Sequence, residues 1–311
     1  MRCGRILALA VCCFGLWQVP ASEAGTISSL VAFGDSTTDT GNVFIGSGFT
    51  IPPAPYFNGR FSNGPVWIEQ FASARGLPIP TPSLAGGGNY AFGGARTGSG
   101  LALGVIPNVQ TQIGLYLTDS LGVADPTALY VIAAGGNDYL GDGQTNPEIP
   151  TNNIIQSIVA LASVGATQFM VPNLLPLGQV PDSIDNLTPL ERAGLNALTV
   201  THNQLLDQKL DLLETLYPTI TVYRPRIYQL FGDIQANPLA YGFTNITDGS
   251  LGDFNLTGNG YFFWDGLHST TQGDSLIAAR AIASLPEPSS IVLLLVAAVG
   301  CAAQARGRRT A

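Results

Sequence analysis

Five short apolar runs, Ser29 to Phe33, Asn89 to Phe92, Ala128 to Ala134, Gln168 to Val171 and Thr219 to Tyr223, punctuate the chain, each bounded by glycine or polar turns. Rich in β-branched residues, they read as buried strands. Stretches with helical character lie between them. Asn63-Gly64-Pro65 opens a run to Arg75, with Pro65 suited to a first helical turn and Gly76 to its end. A second run covers Thr151 to Ser163. The longest starts at Thr188-Pro189, where Thr188 is a natural cap, and continues to Tyr217, where Pro218 stops it. A last one spans Thr271 to Ser284. Buried strands alternating with helices predict an α/β fold: a three-layer α/β/α sandwich with a mostly parallel central sheet. Sites in such sheets form at the carboxyl ends of the strands.

Both ends of the chain are set apart by composition. Arg2 and Arg5 precede an apolar run from Ile6 to Trp17 and the small residues Ala21 to Ala24. This is the layout of a cleaved secretory signal over residues 1–24, and the apolar run is short for a membrane anchor. At the other end, Pro286-Glu287-Pro288 is followed by an apolar stretch from Ile291 to Ala303 and by Arg306, Arg308 and Arg309. Residues 286–311 resemble the bacterial PEP-CTERM sorting signal. The resemblance implies transient anchoring in the inner membrane with the arginines on the cytoplasmic side, and cutting by an exosortase-type enzyme. The product would go to the surface or matrix of a Gram-negative-type bacterium. An ordinary weak anchor is the alternative.

Residues 25–285 then form one domain. All four cysteines (3, 12, 13 and 301) fall outside it, so it has no disulfide, thiolate nucleophile or cysteine-based metal site, and its stability must come from a large core. Five of the 13 basic residues but only Glu23 and Glu287 of the 21 acidic ones lie in the ends. The domain is therefore more acidic than the whole chain, whose net charge is −8. That argues against nucleic acid as a partner and says little about an uncharged ester.

Three segments ending at the same predicted sheet rim carry the chemistry. Val31-Ala32-Phe33-Gly34-Asp35-Ser36 puts a serine directly after the first strand. Alone, Ser36 is an ordinary turn or cap residue. After the second and third strands come Phe92-Gly93-Gly94-Ala95 and Ala134-Gly135-Gly136-Asn137-Asp138. A glycine N–H, the Asn137 amide and the Ser36 N–H are the parts of an oxyanion hole. Near the end, Trp264-Asp265-Gly266-Leu267-His268 sets a carboxylate three residues before an imidazole, the pair a serine nucleophile requires as base and orienting group. The other histidine, His202, lies mid-helix between Leu198 and Leu205 and reads as packing at the edge of an apolar stripe.

The blocks Phe33 to Asn42, Gly59 to Trp67, Asn89 to Ala95, Gly136 to Asp138 and Asp265 to His268 resemble, in order, those of the SGNH/GDSL hydrolases, whose sandwich is flavodoxin-like. The similarity is greatest to the branch containing bacterial lipase/acyltransferases and thermolabile-haemolysin-like proteins. It implies Ser36 as nucleophile and first oxyanion donor, Gly94 as second, Asn137 as third, His268 as base and Asp265 as its orienting partner, with no cofactor and no metal. Thr37 and Ser269 depart from the family pattern without touching a catalytic atom, and Gly93 remains an alternative to Gly94. No Gly-x-Ser-x-Gly elbow is present, which counts against an ordinary α/β-hydrolase.

Asp39 and Asn42 are expected to shape the loop after Ser36. Phe44, Ile45, Phe49, Tyr56, Phe57 and Phe61 either line an acyl groove or cover the sheet, and Tyr261 to Trp264 read as packing behind Asp265. The expected activity is that of an exported serine esterase or lipase acting on small-molecule or lipid esters through an acyl-enzyme on Ser36. Acyl transfer, glycan deacetylation and a non-catalytic, polysaccharide-binding surface protein are the competing readings.

Overall fold

The computed structural model describes residues 27–286. The expected leader, and the sorting segment beyond Pro286, lie outside the described residues. In chain order the elements are β1 (Ser29–Gly34), α1 (Asn42–Gly46), α2 (Trp67–Arg75), β2 (Leu101–Ala102), β3 (Ile106–Pro107), α3 (Val109–Asp119), β4 (Ala128–Ala133), α4 (Gly136–Leu140), α5 (Glu148–Ala162), β5 (Gln168–Met170), α6 (Pro181–Asn186), α7 (Pro189–Leu216), β6 (Thr221–Tyr223), α8 (Ile227–Ala236), β7 (Asn245–Gly249), β8 (Tyr261–Phe263) and α9 (Thr271–Ala283).

The central sheet has the order β1-β4-β5-β6 and every pairing in it is parallel, from Ser29 opposite Ala128 to Gly34 opposite Ala133 at the rim that carries Ser36. Successive side chains of a strand point to opposite faces, so one sheet feeds two cores. Phe33, Tyr130, Ile132 and Phe169 pack beneath α3, α5 and α7. Leu30, Leu129, Val131 and Met170 pack against α2 and α9. A third cluster joins α8 to β8 and supports the Asp265 loop. This is the expected three-layer sandwich. With no cysteine in the domain, these cores carry the stability, and truncating a buried aromatic such as Phe169 to alanine is expected to cost roughly 3–5 kcal/mol.

Two details differ from expectation. Asn89 to Phe92 runs along the free edge of β1, with Ala32 N–H donating to Gly88, Tyr90 N–H to Ala32 and Phe92 N–H to Gly34, yet it is not a regular strand. The ladder breaks at Gly34, whose N–H donates to Gln112 Oε1 and not to the Tyr90 carbonyl, while on the other edge Asn42 Nδ2 donates to the carbonyls of Asn89 and Ala91 and Asn89 Oδ1 accepts from Ala91 N–H. Pro65 lies just outside α2, because the Glu69 carboxylate caps the Val66 N–H at 3.0 Å and the helix begins at Trp67. The long helix α7 starts as expected, with Thr188 and Glu191 bonded reciprocally. Helix α3 buries Val109, Gln112, Ile113 and Tyr116 at helical spacing.

Candidate active site

Gly34 ends β1 with φ +157°, and a Cβ there would lie 2.2 Å from the Ala133 carbonyl oxygen. Only glycine lets β1 and β4 approach so closely just before Ser36. Gln112 of α3 grips the same residue, its Oε1 accepting from Gly34 N–H at 2.9 Å and its Nε2 donating to Gly34 C=O at 2.8 Å. The loop beyond is held by Asp39, whose carboxylate accepts the N–H groups of Gly41, Asn42, Val43 and Gly93. Asp39 and Asn42 thus shape this loop, as their positions suggested.

At the opposite end of the chain, Trp264 N–H donates to the His268 carbonyl at 2.7 Å and closes a tight loop. Within it Asp265 Oδ1 accepts from the N–H groups of Leu267 and His268 at 2.8 and 2.7 Å. Gly266 is pressed against Asp182, and a Cβ would fall 1.7 Å from its Oδ1. The loop delivers His268 so that Nδ1 lies 2.7 Å from Asp265 Oδ2 and Nε2 lies 2.7 Å from Ser36 Oγ. Ser36, His268 and Asp265 therefore form one hydrogen-bonded row across 232 residues of sequence.

The electrostatics of the row are unequal. Burial acts to raise the Asp265 pKa, but the His268 charge and hydrogen bonds from His268 and Tyr56 prevail and hold it at about 2. Burial acts to lower that of His268, but the Asp265 charge and hydrogen bond prevail, and it lies above the ordinary histidine value. Such a pair keeps the carboxylate charged and stabilises an imidazolium formed when a serine proton is taken. Asp35, buried beside Ser36, is pushed up by burial, partly offset by hydrogen bonds from Thr37.

Helix α4 is tied to the loop that carries Gly93 and Gly94. Asn137 Nδ2 donates to the Ala95 carbonyl at 3.0 Å, and Asp138 accepts from Thr97 N–H and Oγ1. Of the two glycines, Gly93 has its N–H engaged by Asp39 and its Cα against the Phe61 ring, where a Cβ would meet carbon at 2.4 Å. Gly94, at φ +83°, has no internal acceptor for its N–H among the described residues and open space where a Cβ would lie.

Sequence reasoning missed several contributors. Tyr56 Oη donates to Asp265 Oδ2 at 2.6 Å, and its ring packs edge-on against Trp264. Phe61 lies over the His268 ring at 5.2 Å. The aromatic loop is thus divided: Tyr56 and Phe61 brace the row, whereas Phe49 is 66% exposed. Phe262, Phe263 and Trp264 are buried behind Asp265 as expected. His202 is not at the edge of a stripe but fully buried, with Nδ1 2.8 Å from Tyr139 Oη. No group of three or more His, Cys, Asp or Glu suited to a metal ion occurs among the described residues.

The family model described as GDSL-like Lipase/Acylhydrolase matches residues 30–281. The chain belongs to that family. Ester-bond hydrolysis is its reaction class. It is 31% identical over 252 residues to the phosphatidylcholine-sterol acyltransferase of Aeromonas hydrophila, covering 78% of this chain and 72% of that protein. It is 26% identical to the thermolabile hemolysin of Vibrio parahaemolyticus over 86% of this chain, and spans 66% of the hemolysin's length. A carbohydrate acetylesterase family member from Sinorhizobium meliloti aligns with a TM-score of 0.47 and 14% identity, over 82% of this chain and 95% of that one.

Proposed function

We propose that the protein is a serine esterase that hydrolyses uncharged carboxylic esters through an acyl-enzyme on Ser36. The observation that carries this reading is the row from Ser36 Oγ through His268 to Asp265, both links at 2.7 Å. Ser36 Oγ attacks the ester carbonyl while His268 Nε2 takes its proton. The oxyanion is received by Ser36 N–H, Gly94 N–H and Asn137 Nδ2. The carbon–oxygen bond to the alcohol then breaks, and the alcohol oxygen leaves with the proton from Nε2. Water, deprotonated by the same nitrogen, releases the acid.

An intact row of this kind argues against a retired scaffold that only binds polysaccharide. A fluorophosphonate probe should label Ser36 in the full chain, located by peptide mass spectrometry, and Ser36→Ala should abolish labelling and p-nitrophenyl ester cleavage. Full activity of that variant would sink the assignment. The similarity to an acyltransferase favours one second reading, transfer of the acyl group to an alcohol. Acyl-glycerol among the products when glycerol is present would select it.

The sequence at the two ends supports export and surface sorting. In this reading residues 1–24 are removed on secretion, the stretch after Pro286 anchors the chain transiently, and an exosortase-type enzyme cuts near Pro286-Glu287-Pro288 to free residues 25–285 at the cell surface. Mass spectrometry of the protein recovered from its native host would show both new termini.

A further inference from the structure

A cavity of about 100 Å³ opens beside Ser36 and Asn137 and extends beneath the sheet rim between α2, α8, α9 and β8. Its walls are formed mainly by apolar side chains, among them Trp67, Leu140, Leu175, Ile227, Phe263 and Ile277. The one titratable side chain on it, Asp35, is turned toward Thr37 by two hydrogen bonds. No lysine, arginine or histidine lines it. A carboxylate or phosphate would have no counter-charge there, so the chemistry suits an uncharged aliphatic group.

The position of the cavity fixes which half of an ester it receives. The alcohol oxygen must reach His268 Nε2 to collect its proton, so the alcohol departs on the His268 side of Ser36. Leu267 and Ser269, the neighbours of His268, line the cavity, whereas the His268 ring faces Ser36 from outside it. Ser36 and Asn137 both line it. A carbonyl carbon bonded to Ser36 Oγ, with its oxygen on Asn137, therefore directs its alkyl tail inward. Phe44, Ile45, Phe49 and Phe57, from the loop after Ser36, take no part in this wall.

We propose that this cavity is the acyl subsite and that it selects short, unbranched acyl groups of about four carbons, an inference that rests on Ser36 as nucleophile. The size follows from comparison: an apolar cavity of ~150 Å³ accommodates benzene, so two-thirds of that volume holds roughly four carbons. Ile277 on α9 and Leu175 after β5 are its specificity-determining residues.

The test is a series of p-nitrophenyl esters from acetate to decanoate, assayed with the full-length protein alongside fluorophosphonate labelling. For the wild type, kcat/KM should peak at butanoate and fall at least tenfold by octanoate. Ile277→Ala should raise the octanoate-to-butanoate ratio at least tenfold, and Ile277→Val, which removes a single methyl, should move it in the same direction. Leu175→Phe should move the optimum toward acetate. A parallel series of butanoate esters with lengthening alcohols should leave the Ile277 variants indistinguishable from wild type. The proposal is overturned if variants that still label keep the wild-type acyl profile, or if the alcohol series shifts instead. A wild type that does not label at Ser36 would overturn the underlying reading as well, so the two failures are separable.

Discussion

The two histidines of the domain are held in opposite ways. Each has Nδ1 in a short hydrogen bond, 2.7 Å for His268 and 2.8 Å for His202. The partner of His268 is a carboxylate, which a tyrosine in turn steadies. The partner of His202 is a tyrosine directly. Burial drives the His202 pKa down to about 4, with Lys209 adding to the effect, whereas the Asp265 charge overcomes burial at His268 and the shift is upward. The second nitrogen of His268 faces Ser36 Oγ, and that of His202 is buried without a partner. Burial by itself therefore produces a neutral packing residue. A base also requires a charged orienting partner and a proton donor within reach.

The largest test of this contrast exchanges each imidazole for a side chain that cannot titrate. His268→Ala is expected to lower kcat by roughly 10⁴- to 10⁶-fold, whereas His202→Gln should leave kcat within a few-fold; equal losses would end the distinction. Asp265→Asn should cost about 10⁴-fold, because the amide neither fixes the imidazole tautomer nor stabilises its cation. Steady-state kinetics at pH 8 measures both.

The third test uses stability. His202 takes up a proton in the unfolded chain near pH 6.5 but resists one in the fold until about pH 4, so it withdraws stability as pH falls across that window, by about 3 kcal/mol in all. His268, raised in the fold, contributes the other way: its stabilisation is present below pH 6.5 and is lost as pH rises through its folded value. Melting curves from pH 7 to 4.5 should accordingly fall less steeply for His202→Gln than for wild type.

The smallest effect concerns the tyrosine behind the carboxylate. Tyr56→Phe removes a hydrogen bond that shares the Asp265 charge, so His268 should hold its proton more tightly. The acidic limb of the kcat/KM profile should move upward by less than about one unit, with kcat reduced about tenfold. An unchanged limb would reduce Tyr56 to a packing residue.

Much of this was legible in the sequence because it is local. Strand β1 with the turn to Ser36, the cap at Thr188, and the three-residue step from Asp265 to His268 each rest on neighbours in the chain. What was not legible depends on partners far apart. Tyr56 meets Asp265 across 209 residues, and Gln112 reaches Gly34 across 78. The irregularity at Asn89 to Phe92 arises from the Gln112 side chain, which takes the Gly34 N–H that a regular ladder would give to the Tyr90 carbonyl. Gly93 and Gly94 could not be separated in sequence, because Asp39 decides which N–H is engaged. The apolar cavity is drawn from segments throughout the domain, and no periodicity marks it.

The separation of 232 positions between Ser36 and His268 also bears on when the row can form. Strand β1 pairs with β4, almost a hundred residues later, and the His268 loop joins only when the segment around β8 has emerged and docked. Contacts of such long sequence separation form late in folding, since chain closure must precede them. A partly folded chain therefore holds Ser36 without the His268 imidazole. The topology itself leaves the hydrogen-bonded row incomplete until the final turn is in place.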